Sequence, residues 1–127
     1  MAKEAKKKKT AIFPERGNIY IKATFNNTLV SLTDENGNVL IGGSAGKAGF
    51  KGTRKSTPYA ATSAVEKVAR QARDQGMREV AIFVQGPGPG RDAALRAIRA
   101  SGLSMSLIAD TTPIPHNGVR PKKRRRA

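Results

Sequence analysis

The chain has 127 residues and contains no cysteine, no tryptophan, a single histidine and only six phenylalanine and tyrosine residues. Without cysteine it can form no disulfide, no thiolate metal site and no cysteine nucleophile. No apolar run reaches the roughly 18–20 residues that a membrane-spanning helix needs, and the basic N-terminus lacks the apolar segment of a secretory signal. These absences predict one domain with an aliphatic core and no span of the bilayer.

Acidic residues are also scarce. There are 9 of them against 24 lysines and arginines, which gives a net charge of +15 and a pI of about 11.0. A small soluble domain typically carries a net charge of only ~2–8. The excess predicts a polyanionic partner, with nucleic acid favoured and an anionic membrane surface as the alternative.

Part of the positive charge lies near the N-terminus, in residues 1–17, where Lys6, Lys7, Lys8 and Lys9 follow one another. This segment has no hydrophobic periodicity, and its like charges repel, so we predict a disordered tail that binds RNA. A solvated tail without a role and a nuclear-import signal are the alternatives.

A second basic segment occupies residues 113–127, where three prolines prevent a regular helix or strand. Its cations are Arg120, Lys122, Lys123, Arg124, Arg125 and Arg126. We predict a disordered tail whose arginines and lysines contact phosphates, together with His116, Asn117 and Gly118. The Asn117-Gly118 pair favours a tight turn and is open to succinimide formation.

Between the tails, residues 18–112 show strand and helix patterns in the order βββαβαβ. We predict strands over residues 18–25, 28–33, 39–43, 79–85 and 103–110. The helices should begin near Thr57 and Arg91 and end at Gly76 and Gly102. Right-handed crossovers place both helices on one face of a mixed sheet of order 3-2-1-4-5. The other face, with Tyr20, Lys22 and Thr24, should be partly open to the tails or to a partner.

A glycine-rich segment, GGSAGKAGFKGTRK, spans residues 42–55. It fails the nucleotide-binding P-loop pattern, because Ile41 and Ala48 stand where glycine and serine or threonine are needed. We predict a flexible loop that contacts RNA phosphates. The residues assigned to this contact are Lys47, Lys51, Gly52, Arg54 and Lys55. Phe50 either stacks on a base or, as the favoured reading, packs into the core.

A second segment, GPGPGR over residues 86–91, separates the fourth strand, which we predict to be buried, from the second helix. Free N–H groups at a helix start attract anions, so Gly88, Gly90 and Arg91 are predicted phosphate contacts. Two alternatives remain: a helix start packed closely on the sheet, and a dinucleotide-binding loop, since Gly88, Gly90 and Ala93 match G-x-G-x-x-A. Only one βαβ unit and no substrate domain accompany that match, which disfavours a dinucleotide.

Catalytic chemistry is not indicated. No cluster of carboxylates is visible that could hold a catalytic metal, and His116 has no nucleophile or second ligand near it in sequence. We therefore predict no catalytic residue, no metal and no cofactor.

Four stretches carry a resemblance to a known family: FNNTLVSLTDENGNV, GFKGTRKSTPYAA, GPGPGRDAALRAI and DTTPIPHNGVRPKKRRR. On these the chain resembles the universal eleventh protein of the small ribosomal subunit, in its bacterial form, from Asn18 to Arg126. The family often has cysteine at the position of Val119, glutamine at Thr62 and glutamate at Asp92. None of these departures touches the basic loops.

The resemblance implies a ribonuclease-H-like α/β fold without catalytic acids. It also implies a structural, non-enzymatic role on the platform of the small subunit, in the cytoplasm. The expected partners are small-subunit rRNA and neighbouring platform proteins, with the exiting mRNA nearby where its leader pairs with the rRNA 3′ end. No membrane and no small-molecule substrate are expected.

Overall fold

The computed structural model describes residues 13–123, so Lys6 to Lys9 and Arg124 to Arg126 lie outside the described residues. Its strands are β1 (Arg16–Ala23), β2 (Thr28–Asp34), β3 (Val39–Ser44), β4 (Glu79–Gln85) and β5 (Ser104–Asp110). Its helices are α1 (Pro58–Asp74) and α2 (Arg91–Ala100), and a short 3₁₀ turn spans Gly52–Ser56. No helix between residues 13 and 123 combines the length and the apolar character required to cross a membrane.

The five strands form one mixed sheet of order β3-β2-β1-β4-β5. β2 runs antiparallel to both β1 and β3, whereas β1 and β4, and β4 and β5, are parallel. The predicted mixed sheet with two helices and its strand order are therefore confirmed. The ribonuclease-H-like relationship stays an expectation from the resemblance.

The core lies between one face of the sheet and both helices, as predicted. Strand residues such as Ile19, Leu32 and Ile82 are fully buried there, and α1 contributes alanines and valines. α1 lies close to the sheet at Gly43 of β3, because a Cβ at this glycine would lie only 2.9 Å from Cγ2 of Val68. All six aromatic residues lie outside the fully buried set, so the expected aliphatic core is confirmed.

β1 begins at Arg16 and ends at Ala23, two residues earlier than predicted at both ends. Gly17 resembles a tail residue in sequence, but its missing side chain is what lets the strand form. A Cβ there would lie 2.5 Å from the carbonyl oxygen of Thr33 and 2.6 Å from Cε of Met77. Gly17 is thus needed because neighbouring atoms approach its backbone closely, and not because the chain must be flexible there.

The alternation of the predicted strand over residues 18–25 places Phe25 on the same face as Ile19 and Ile21, but the end of β1 leaves Phe25 outside the strand. Thr24 closes the strand, because its N–H donates to the carbonyl of Asn27 at 2.8 Å and its hydroxyl accepts from the N–H of Asn27 at 3.0 Å. The chain therefore turns before Phe25 can join the buried face, and that ring is 70% exposed.

β4, which is predicted to be buried, is covered on only one face, and β5 contains a bulge. In β4, Val80, Ile82 and Val84 are buried while Phe83 on the other face is only partly buried, so this central strand is covered on one side. In β5 the register slips: Met105 pairs with Val80, but Leu107 pairs with Ala81. The bulge at Ser106 turns Leu107 onto the open face, where it is 49% exposed.

Candidate nucleic-acid interface

The topology brings the predicted RNA contacts of the described chain to one end of the sheet. β1, β3, β4 and β5 all run in the same direction, so the segments that follow them emerge together with the start of β2. Hydrogen bonds join these segments: Ala45 N donates to Thr28 O at 3.0 Å, and Gly88 N to Ala23 O at 2.9 Å. We call this surface, formed by residues 24–27, 45–57, 86–91 and 111–112, the loop end, and the C-terminal segment follows directly from it.

Residues 45–57 form a folded protrusion rather than the flexible loop that the glycines indicate. The N–H groups of Lys47 and Phe50 donate to the Ser44 hydroxyl and the Ala45 carbonyl at 3.0 and 3.2 Å. The 3₁₀ turn follows, and Gly49 and Gly52 adopt φ values of +106° and +59°, which disfavour any side chain. The protrusion therefore holds its cations in defined positions.

Lys47, Lys51 and Arg54 are exposed on this protrusion, and Lys55 is half-buried with its aliphatic stem over Gly46. Ion pairs among residues 13–123 join Arg16 to Glu79, Arg70 to Glu66 and Arg91 to Asp110. None of them involves the four cations of the protrusion. Their charge is therefore not neutralised by a described carboxylate, which favours an anionic partner.

An aromatic pair adjoins the same cations. Phe50 packs edge-to-face on Tyr59, with ring centroids 5.7 Å apart and planes at 83°. Phe50 is half-buried there rather than part of the core, and Tyr59 is 71% exposed. Tyr59 is not among the predicted contact residues, although its position outside the buried face of α1 makes it available at this surface.

The glycines of residues 86–90 pack against the turn that follows β1. Gly88 and Gly90 are buried: a Cβ on Gly88 would lie 2.3 Å from Thr24 O, and one on Gly90 would lie 2.4 Å from Thr28 Oγ1. This geometry favours the alternative of a helix start packed closely on the sheet. Phosphate contact by these two glycines stays a prediction.

Arg91 joins the start of α2 to the end of β5. Its Nη2 lies 2.9 Å from Oδ2 of Asp110, and its Nη1 donates to the carbonyl of Gly86 at 3.2 Å. Its side chain is only 29% exposed. A phosphate at Arg91 would therefore compete with Asp110, so its first role is structural, and its predicted RNA contact stays a prediction.

Asp110 also fixes the residues that lead into the C-terminal segment. It accepts hydrogen bonds from the hydroxyl and the N–H of Thr112, while Thr111 N donates to Val84 O at 2.9 Å. The Thr112 hydroxyl, the Thr112 N–H and then the Arg91 guanidinium lower the pKa of Asp110 to about 2. The carboxylate is thus charged at neutral pH, and it sets where the segment leaves the sheet.

Beyond Thr112, the described part of the C-terminal segment, residues 113–123, has no helix or strand and is almost wholly exposed. Its predicted contact residues are His116, Asn117, Gly118, Arg120, Lys122 and Lys123. Asn117 has a positive φ of 59°, which agrees with the predicted turn at Asn117-Gly118. No group of three histidine or acidic side chains that could hold a metal occurs within residues 13–123.

Comparison with known proteins decides the family. The model of the family described as ribosomal protein S11 matches residues 17–126, which include the sheet, the protrusion and most of the C-terminal segment. The chain belongs to the ribosomal protein S11 family. The small ribosomal subunit protein uS11 of Nitratidesulfovibrio vulgaris (strain DSM 19637 / Miyazaki F) is 58% identical over 110 residues, covering 87% of this chain and 85% of that protein.

Membership of the S11 family makes the chain a structural component of the small ribosomal subunit and not an enzyme. A nucleotide-dependent enzyme is therefore excluded, and the family resemblance seen in the sequence is confirmed. The family match begins at residue 17, so Lys6 to Lys9 lie outside the part of the chain that it covers.

The segment that carries those lysines joins the S11-family domain at the end opposite the loop end. Phe13 N donates to Gln75 O at 3.2 Å, and Arg78 N donates to Glu15 O at 2.9 Å, both beside the start of β1. β1 has 8 residues, so at about 3.3 Å per residue the two ends are roughly 25 Å apart. The two basic terminal segments are therefore attached at opposite ends of the sheet.

Proposed function

We propose that this S11-family protein binds small-subunit rRNA at both ends of its sheet. The observation that carries the proposal is the folded protrusion, whose cations have no described carboxylate partner. The loop end and the C-terminal segment bind one set of phosphates. The N-terminal lysines, attached about 25 Å away, bind another. Phosphate contacts of this kind hold a protein in register without a direct base code.

In this proposal residues 18–112 are the scaffold, and residues 1–17 and 113–127 are the basic tails. The proposed RNA contacts are Lys6, Lys7, Lys8, Lys9, Lys47, Lys51, Gly52, Arg54, Lys55, Gly88, Gly90, Arg91, His116, Asn117, Gly118, Arg120, Lys122, Lys123, Arg124, Arg125 and Arg126. Exposure and lack of an ion pair support the protrusion cations most strongly. Burial gives Gly88 and Gly90 the weakest support.

The place of the protein within the subunit belongs to the same proposal. The family resemblance supports a site on the platform of cytoplasmic ribosomes, against the central and 3′ regions of the rRNA and beside other platform proteins. The exiting mRNA then passes nearby, where its leader pairs with the rRNA 3′ end. The positive charge of the C-terminal segment suits a position where several RNA backbones converge.

The salt dependence of RNA binding tests the proposal. The full chain and a variant ending at residue 112 are titrated with platform rRNA over a series of KCl concentrations. Removal of the six cations Arg120, Lys122, Lys123, Arg124, Arg125 and Arg126 should flatten the log–log slope by up to roughly 4, at roughly 0.7 per phosphate on single strands. A full-length control with those six residues changed to glutamine should behave like the truncation. Unchanged affinity and slope in both variants would contradict the tail role.

A further inference from the structure

The sheet face opposite the helices carries two aromatic side chains between small residues. Strand register places Gly42, Ser31, Tyr20, Phe83 and Ala109 in one row across β3, β2, β1, β4 and β5. We propose that this row is a stacking site for an unpaired RNA base. The inference rests on the proposed rRNA binding. The loop end contacts RNA phosphates, and the row on the sheet face adds a contact to a base.

The two rings already form a stack that a third planar group can extend. Tyr20 and Phe83 are direct neighbours on β1 and β4, with centroids 5.2 Å apart and planes only 17° from parallel. Each ring uses one face for the other. Tyr20 remains 43% exposed, and its neighbour on the side away from Phe83 is the small side chain of Ser31.

The space beside Tyr20 is open. A Cβ added at Gly42, the next position beyond Ser31, would meet no atom within 4 Å. Because neighbouring strands are about 4.8 Å apart, the small residues Ser31 and Gly42 leave a flat surface roughly 10 Å wide beside the Tyr20 ring. A depression of about 210 Å³ lies here, with Tyr20, Lys22, Leu29, Ser31, Phe83 and Gln85 in its wall.

The chemistry around the rings suits a nucleotide better than an apolar protein surface. Lys22 is exposed on the same face, two residues beyond Tyr20, where it can meet the phosphate of a stacked nucleotide. Ser31 and Gln85 offer hydrogen bonds to base edges. The carboxylate of Glu79 lies at the other end of the face, within 4.0 Å of Arg16. The depression therefore combines two rings and the exposed Leu29 with a cation and neutral polar groups, a mixture that single-stranded RNA sites also use.

The depression is also continuous with the proposed RNA-binding surface. Thr111, the first residue after β5, forms part of its wall, and the C-terminal segment begins two residues later. An RNA strand whose phosphates follow that segment can therefore place a base beside Tyr20 without a second entry point.

Tyrosine fluorescence gives a direct test, because the chain has two tyrosines and no tryptophan. The Tyr59→Phe variant keeps the ring at the protrusion and leaves Tyr20 as the sole tyrosine. We expect single-stranded oligo(A) to quench its emission, since a stacked base contacts the ring. Inorganic polyphosphate, which offers phosphates without bases, should bind the protein and leave the emission unchanged.

Binding affinities provide the second measurement. Tyr20→Leu and Phe83→Leu should each weaken oligo(A) binding about tenfold and leave polyphosphate binding unchanged, whereas Tyr20→Phe should retain parental affinity for both. Because the leucine variants keep apolar bulk on a partly exposed face, they should remain folded, and urea unfolding of each variant checks this directly.

The outcomes separate this inference from the proposed function. Salt-sensitive binding of oligo(A) without quenching, or equal quenching by polyphosphate, would overturn the stacking site and leave the phosphate contacts standing. A protein that bound neither ligand would overturn both. In assembled subunits, a photo-crosslinking amino acid in place of Tyr20 should attach to rRNA. Attachment only to a neighbouring protein would assign the face to that partner and refute the inference.

Discussion

At the scale of single residues, glycines that look alike in sequence have different roles. Gly42 of β3 is exposed, with open space where a side chain would lie, whereas Gly90 is buried between β2 and α1. A sequence shows that a side chain is missing but not what fills its place. The close packing of residues 86–90 could therefore be seen only in the coordinates, and phosphate contact there stays a prediction.

Gly90→Ala should destabilise the fold by about 1–3 kcal/mol through overpacking. The φ of Gly90 is −82°, which any residue adopts, so the cost is steric. The new Cβ would lie 2.4 Å from Thr28 Oγ1 and 2.6 Å from Ala61 Cβ. Urea unfolding measures the change, and Gly42→Ala is the matched control, expected within about 0.5 kcal/mol of the parent. Equal unfolding midpoints for both variants would contradict the packing role of Gly90.

Asp110 should make the fold sensitive to acid. Its folded pKa of about 2 lies below its ordinary value of 3.8, so its stabilising contribution is complete above pH 3.8 and is lost as the pH falls through about 2. The unfolding midpoints of the parent and of Asp110→Asn should therefore differ most above pH 3.8 and converge towards pH 2.

The charge-matched control for Asp110 is Asp92→Asn, in the first turn of α2. It removes one carboxylate near the same end of the sheet but leaves the contacts among Arg91, Asp110 and Thr112 in place. This variant should keep the acid transition of the parent. A constant offset between the parent and Asp110→Asn at every pH would show that the carboxylate charge plays no part.

At the scale of elements, hydrophobic periodicity predicted β4 as Glu79–Gln85 with correct bounds. It failed where a contact distant in sequence decides the outcome. Arg16 and Gly17 join β1 because Met77 and Thr33 approach the glycine, and the β5 bulge at Ser106 depends on pairing with β4. Neither fact is encoded in a local pattern, so element type was predictable and the final register was not.

The junction between the basic protrusion and α1 depends on Thr57. Its hydroxyl accepts from Ala60 N at 3.2 Å as the helix N-cap and donates to Arg54 O at 2.8 Å. Thr57→Ala should lower the free energy of unfolding by about 1 kcal/mol, and Thr57→Ser should restore most of it. Urea denaturation compares the three proteins. A serine variant as unstable as the alanine variant would show that the methyl group matters and the cap does not.

At the scale of the whole molecule, net charge and the positions of the basic runs predicted a nucleic-acid partner, and the family resemblance specified rRNA. They could not show which cations are already engaged: Arg91 contacts Asp110, while Lys47 and Lys51 have no described ion-pair partner. They also could not show that the basic termini are attached at opposite ends of the sheet. That arrangement follows from β1 and β5 running in the same direction, because the chain enters at the start of β1 and leaves at the end of β5.

Because the N-terminal segment is attached at the end of the sheet opposite the protrusion, we predict that the N-terminal lysines and the protrusion cations bind rRNA independently. Changing Lys6, Lys7, Lys8 and Lys9 to glutamine should flatten the salt slope by up to roughly 3, and changing Lys47, Lys51 and Arg54 by up to roughly 2. Because the ends are roughly 25 Å apart, the combined variant should show the sum of the two changes.

Arg70→Gln serves as the control for this comparison, since Arg70 is already paired with Glu66 at 2.7 Å on the exposed side of α1. It should leave the slope as in the parent. If the combined variant were no flatter than the larger single change, both regions would share the same phosphates. If the two basic regions bind separate rRNA segments, the two changes should add, because cations that contact different phosphates displace different counterions.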